Sequence, residues 1–129
     1  MKKLLFILFI FLTGNAFTQD LDCSRFKNGK FVIEDAEAGN SYITRNGNTQ
    51  TETGGGSGLE LLFDVVWLNE CTYTLKVKEV LSNPKNLSIP FEMVLTVEII
   101  EVKENSYIQK STSDMFDLVL ESEMIVVKE

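Results

Sequence analysis

Apolar and polar residues alternate along most of this chain, and helical spacing is scarce. In Cys71-Thr72-Tyr73-Thr74-Leu75-Lys76-Val77-Lys78 the odd positions are apolar and the even ones polar. That pattern predicts a half-buried strand showing Thr and Lys to water. Along Leu59–Trp67, Leu61, Phe63, Val65 and Trp67 fall on one face, and Glu60 and Asp64 on the other. Along Phe91–Ile99, Phe91, Met93, Leu95, Val97 and Ile99 share a face. The apolar phase then slips at Ile99-Ile100, and Val102 continues on the other parity. A β-bulge or a strong bend there accounts for the slip.

Weaker strands fill the gaps. Lys30–Glu34 follows a glycine, and Ser106–Lys110 and Leu118–Val127 complete the set. Ser41–Arg45 and Thr49–Glu52 flank Asn46-Gly47, a dipeptide suited to a type I′ hairpin turn with positive φ at both central residues. Turns are expected at Asn69-Glu70, at Asn83-Pro84-Lys85-Asn86 and near Glu104-Asn105. The best helical candidate is a single turn near Ser113–Asp117, capped by Ser113 or Asp114. Roughly eight strands with short links predict an all-β fold: an antiparallel meander forming a barrel or a strongly bent sheet.

The N-terminus changes where this fold is expected to work. Lys2-Lys3 precedes the apolar run Leu4–Leu12, followed by Thr13-Gly14-Asn15-Ala16. A basic start, an apolar stretch and a small-residue exit read as a secretory signal peptide. The run falls short of the ~20 apolar residues that span a bilayer. Cleavage after Ala16 or after Thr18 fits; the second makes residues 1–18 the leader and 19–129 a single β domain. No transmembrane segment is expected in that mature chain. Cys23 lies too far beyond Leu12 for a lipoprotein anchor. The expected location is the periplasm or the outside of the cell.

Export bears on charge and cysteines. Losing Lys2 and Lys3 takes the net charge from −7 to −9, which makes nucleic acid a poor partner. Cys23 and Cys71 are the only cysteines, and an even count in an oxidising compartment predicts a disulfide between them. The competing state is two buried thiols. Redox catalysis is not expected, because no Cys-x-x-Cys turn exists to lower a thiol pKa.

Much catalytic chemistry is missing from this alphabet. The chain has no histidine, which removes His-based triads, His-ligated zinc and His acid–base work. Ser57 lacks the glycine spacing of a nucleophile elbow, since Leu59 stands where the second glycine belongs. No Walker loop, dinucleotide fingerprint or calcium loop is present. The turn Glu34-Asp35-Ala36-Glu37 reads as a solvated acidic loop, with weak calcium binding as its functional alternative. No cofactor or metal is therefore expected. Gly54-Gly55-Gly56-Ser57-Gly58 reads as a flexible hairpin tip, or as a flap at a pocket mouth. Tyr42, Phe63, Trp67 and Tyr73 are the candidate ligand-lining aromatics, with plain core packing as the alternative. An eight-stranded barrel is wide enough to be filled by side chains or to hold one small ligand.

The segments Cys23…Phe26-Lys27-Asn28-Gly29-Lys30-Phe31, Arg45-Asn46…Gln50-Thr51-Glu52 and Trp67…Cys71-Thr72-Tyr73-Thr74-Leu75 resemble a group of small exported bacterial β-rich proteins. Some of these carry the label DNA topoisomerase IV. That label does not suit a short, acidic, exported chain, because such an enzyme needs a large ATP-linked assembly with basic DNA surfaces. The resemblance implies an exported β domain and brings no activity with it. Gly29-Lys30-Phe31 is also similar to the Gly-x-Trp start of lipocalin-like barrels, with Phe in place of Trp and only Lys128 near the last strand as a cation. The expectation is a non-enzymatic, lipocalin-like exported protein that holds a small apolar ligand or associates with an envelope protein. The alternative is a structural or interaction module with a filled core; a carboxylate-based hydrolase ranks last. Oligomeric state and ligand identity stay open.

Overall fold

The computed structural model describes residues 21–128; the expected leader, residues 1–18, lies outside them. Eight strands follow in order: β1 (Asn28–Ile33), β2 (Ser41–Asn46), β3 (Thr49–Gly54), β4 (Leu59–Asn69), β5 (Thr72–Ser82), β6 (Leu95–Val102), β7 (Ser106–Ser113) and β8 (Val119–Val126). Each pairs antiparallel with the next, and β8 returns to β1, so the meander closes into a barrel. Period-two alternation drives this closure by turning one face of every strand inward. Phe31, Ile43, Phe63, Tyr73, Leu75, Val97, Tyr107 and Met124 accordingly lie buried.

The two ends of the barrel differ. At the capped end a 3-10 turn, Ser24–Phe26, folds across the opening. The Cys23–Cys71 disulfide ties this turn to the β4–β5 connection. Phe26 packs there with Phe31, Ile43, Ile99 and Tyr107. The opposite end carries the longer loops 34–40, 55–58, 83–94 and 114–118. Strand pairing follows the same polarity. β1 and β8 are in register only at Phe31↔Val126 and Val32↔Ile125, with one further bond from Val127 N–H to the Lys30 carbonyl at 2.9 Å. The first half of β8 therefore pairs with β7 alone, as from Thr112↔Val119 to Gln109↔Ser122. The barrel is zipped at the capped end and splayed at the other.

Three sequence expectations need correction. The strand expected from Phe91 begins only at Leu95. Pro90 diverts the chain first: the Met93 N–H bonds the Pro90 carbonyl at 3.1 Å, and Phe91 is left exposed. The hairpin turn is centred on Gly47-Asn48 rather than Asn46-Gly47, because Asn46 still pairs with Thr49. Only Gly47 takes a positive φ, 60°, as in turns that need glycine at the first central position alone. No helix forms near Ser113. Its Oγ does accept the Met115 and Phe116 N–H groups at 3.0 and 3.2 Å, but the chain leaves through bends and the Leu118 N–H turns back to the Phe116 carbonyl. The expected phase slip is present: the β6–β7 register shifts between Ile99 and Glu101, so Ile100 is the extra residue.

Candidate functional site: a polar layer and a hollow in the barrel

β3 determines the character of the interior. Its residues Thr49-Gln50-Thr51-Glu52-Thr53 include no apolar side chain, so whichever face turns inward brings polar groups. Gln50 and Glu52 are the inward pair, opposite Phe63 and Leu61 on β4. On β2 the buried Ile43 sets the parity, and Arg45 two residues later must also point in. Arg45 lies across from Gln50 and Ile43 across from Glu52.

Arg45 is 2% exposed, and protein acceptors occupy its guanidinium. Nε donates to Gln50 Oε1 at 2.9 Å, Nη1 to the Phe26 carbonyl at 2.8 Å, and Nη2 to the Tyr73 and Tyr107 hydroxyls at 2.8 and 3.0 Å. The guanidinium also lies over the Phe31 and Tyr73 rings, 4.9 and 4.6 Å from their centroids, which adds cation–π attraction. No carboxylate makes an ion pair with it among the described residues. Its charge is carried by hydrogen bonds and rings, the requirement for keeping a buried cation. The Tyr73 hydroxyl reaches Gln109 Oε1 at 3.2 Å, and Gln109 Nε2 donates to Ser122 Oγ at 3.1 Å. Burial holds the Tyr73 hydroxyl well above its ordinary pKa, with Tyr107 adding to the rise and Arg45 opposing it. Tyr73 is therefore a neutral member of this layer.

Above the layer the barrel is hollow. A cavity of about 270 Å³ is bounded by Gln50, Glu52, Tyr73, Leu75, Val97, Gln109, Ser111, Ser122 and Met124, and reaches the splayed edge at Leu118 and Leu120. At ~30 Å³ per water in liquid, that is room for about nine waters or one small molecule. A second, more open hollow of about 440 Å³ lies at the mouth, lined by Ala38, Gly54–Ser57, Leu59, Leu61 and Lys85. Glu52 borders both. Burial raises its carboxyl pKa, while a hydrogen bond from Gln50 and the charge of Arg45 pull it down. Its side chain still meets solvent through the hollows.

The structure brings only part of the expected site together. Tyr73 lines the hollow. Phe63 packs beside Val65 and Leu75 in the neighbouring core cluster. Trp67 stacks against Tyr73 with centroids 4.6 Å apart, and its Nε1 donates to the Gly47 carbonyl. Tyr42 is 56% exposed. It stands on the outer face, because Ile43 next to it takes the inward one, so Tyr42, expected from sequence among the ligand-lining aromatics, does not line the hollow. Gly54–Gly58 does border the mouth hollow. The loop lies against its neighbours: a Cβ on Gly55 (φ +59°) would stand 2.8 Å from the Ala38 carbonyl oxygen, and Ser57 Oγ bonds both the Gly54 carbonyl and the Leu59 N–H. Lys85 joins this hollow from a distant loop, although no basic residue lies near the glycines in sequence.

The acidic turn uses its carboxylate locally. Asp35 Oδ1 accepts the Glu37 and Ala38 N–H groups at 2.8 and 3.0 Å, and these bonds lower its pKa. Among the described residues, no three His, Cys, Asp or Glu side chains gather closely enough to hold a metal ion. No described helix is long and apolar enough to cross a membrane. Arg45, Gln50, Glu52, Gln109 and Ser122 are the site residues that sequence reasoning missed. The available signal was parity, since Arg45 shares a face with Ile43 and β3 offers no apolar face at all.

Fold and site together define a small, disulfide-stapled antiparallel β-barrel, capped at one end and hollow with a polar lining towards the other. No family model matches the chain, and no curated protein or solved structure matches it.

Proposed function

We propose that this is an exported, non-enzymatic binding protein that holds one small ligand inside the barrel. The observation that carries the reading is the 270 Å³ hollow open at the splayed end. A barrel of this strand number can fill its interior, and the upper half of this one does not. The leader pattern of Lys2–Ala16 and the Cys23–Cys71 bond support export. The lack of histidine supports a binding role over catalysis. The lining combines apolar walls with Gln50, Glu52, Gln109 and Ser122, so the ligand is an amphiphile rather than a pure hydrocarbon.

One observation favours a second reading, a protein-interaction module. Met115, Phe116, Leu118, Val119 and Leu120 are all exposed beside the half-paired β8, and an apolar sheet edge is a docking template. Native mass spectrometry of the mature protein from its own host separates the two. A copurifying small-molecule adduct lost on unfolding is the expected result; a bare or protein-bound species refutes the ligand reading.

A further inference from the structure

The polar groups around the hollow are not equally available to a ligand. Arg45 spends its guanidinium on Gln50, Phe26, Tyr73 and Tyr107 and does not line the hollow. Gln109 spends its amide oxygen on Tyr73 and its nitrogen on Ser122. Gln50 gives its oxygen to Arg45. Glu52 is different. Gln50 and the charge of Arg45 favour its ionised form, yet a carboxylate offers about four acceptor positions, which leaves room for a ligand donor. Ser111, inward on β7 four strands around from β3, bonds no described residue through its hydroxyl. The interior thus presents a carboxylate with spare acceptors on one wall, a free hydroxyl on the opposite wall, and aliphatic surface from Leu75, Leu95, Val97 and Met124 between them.

This arrangement is ordered in charge along the barrel axis. The cation sits in the floor, sealed by its own hydrogen bonds, and the anion sits at the junction of the inner hollow and the mouth. An entering molecule meets Lys85 in the outer hollow and then Glu52 where the two hollows join. An anionic ligand would face Glu52 with no free cation inside to compensate, since Arg45 is fully engaged. A neutral apolar ligand would displace the solvent that reaches Glu52 and leave the carboxylate short of donors, which is costly. A ligand with a compact cationic donor group meets both demands.

Resting on the proposed binding role, we infer that Glu52 is the recognition group of the hollow and that its ligand is a small amphiphilic amine. The ammonium binds Glu52, and the aliphatic body lies along Leu75, Leu95, Val97 and Met124. Lys85 at the mouth adds selectivity, because it disfavours dications that would reach past Glu52 into the outer hollow.

Isothermal titration calorimetry of the oxidised mature protein with octylamine, 1-octanol and octanoate tests this at neutral pH. A charge-assisted bond in a partly dry site should make octylamine at least about tenfold tighter than octanol, with octanoate weakest. Glu52→Gln should bring octylamine down to the octanol affinity while octanol binding is retained, which also reports an intact barrel. Equal affinity for octylamine and octanol, or tightest binding of octanoate, overturns the assignment to Glu52 and leaves the ligand-holding reading in place. Failure of all three probes to bind overturns both.

Discussion

Removing the Arg45 cation should destabilise the barrel, and the size of the loss can be worked from its contacts. In Arg45→Met a flexible apolar chain of similar length replaces a guanidinium that makes four hydrogen bonds. The two tyrosine hydroxyls lose little, because they stay within 3.1 Å of each other and Tyr73 keeps Gln109. The Phe26 carbonyl and Gln50 Oε1 are stranded, at about 1–3 kcal/mol each. Relief from holding a desolvated cation, together with the apolar packing of Met, returns roughly 1–3 kcal/mol. The net expectation is a loss of about 1–3 kcal/mol, a sizeable share of the ~5–15 kcal/mol that holds a typical domain. Arg45→Lys should fall between the two, since one ammonium cannot reproduce the planar fork. Urea unfolding followed through the single tryptophan, Trp67, measures the change. An Arg45→Met protein as stable as the parent would show that the polar layer is not held through this residue.

Other expectations test the staple, the recognition carboxylate and the mouth. Replacing both Cys23 and Cys71 with Ser frees a 48-residue separation; the chain-entropy model gives a loss of about 4 kcal/mol, and an unchanged urea midpoint would show that the staple contributes nothing. Burial raises the Glu52 pKa above 4.5, so its contribution to stability is fully present below the unfolded-state value and is lost as pH rises through the folded one. Glu52→Gln should therefore be more stable than the parent at neutral pH and similar to it well below pH 4.5; a difference independent of pH in urea titrations contradicts this. Gly55→Ala should lower stability by about 1–2 kcal/mol through left-handed strain and its clash with Ala38, and a thermal midpoint equal to the parent's would argue against a tight 38–55 loop contact.

Alternation located the long strands, because a half-buried strand writes its two faces directly into sequence, whereas β3, with no apolar residue, was legible only from the Asn46-Gly47 turn signal beside it. Tyr73, Leu75 and Val77 are buried as their parity requires, and Lys76 and Lys78 between them are exposed. The extra residue at Ile100 showed as a slip in the same pattern. Strand ends were less legible: Phe91 and Met93 keep the correct parity, yet Pro90 captures the backbone in turns before Leu95. The polar layer was hidden for a different reason. An inward Arg or Glu looks like a solvent-facing residue when burial is judged from residue type. Parity with Ile43 puts Arg45 on the core face, and the cross-strand register, Ile43↔Glu52 and Arg45↔Gln50, adds Gln50 and Glu52 to it. Lys85 and the glycine loop meet through loop packing, which no local pattern encodes.

The hollow follows from what β3 cannot supply. An eight-stranded barrel fills when every strand sends branched or aromatic side chains inward. Here β4 sends Phe63 and Val65, and β5 sends Tyr73, Leu75 and Val77, while β3 sends Gln50 and Glu52. Gln50 is drawn down to Arg45, and Glu52 lies at the junction of the two hollows, so neither fills the inner one. That wall, on β7 and β8, offers the short side chains Ser111 and Ser122. Short residues on one side and polar residues on the other leave a gap that no described apolar side chain closes. The capped end, with its disulfide and its packed Phe26, Phe31, Ile43 and Tyr107, supplies the rigidity that keeps the gap from collapsing. Filling it from within, for example by Ser111→Leu, would remove the space for a ligand and at the same time strip solvent from Glu52, at the cost that burying an underpaired carboxylate carries.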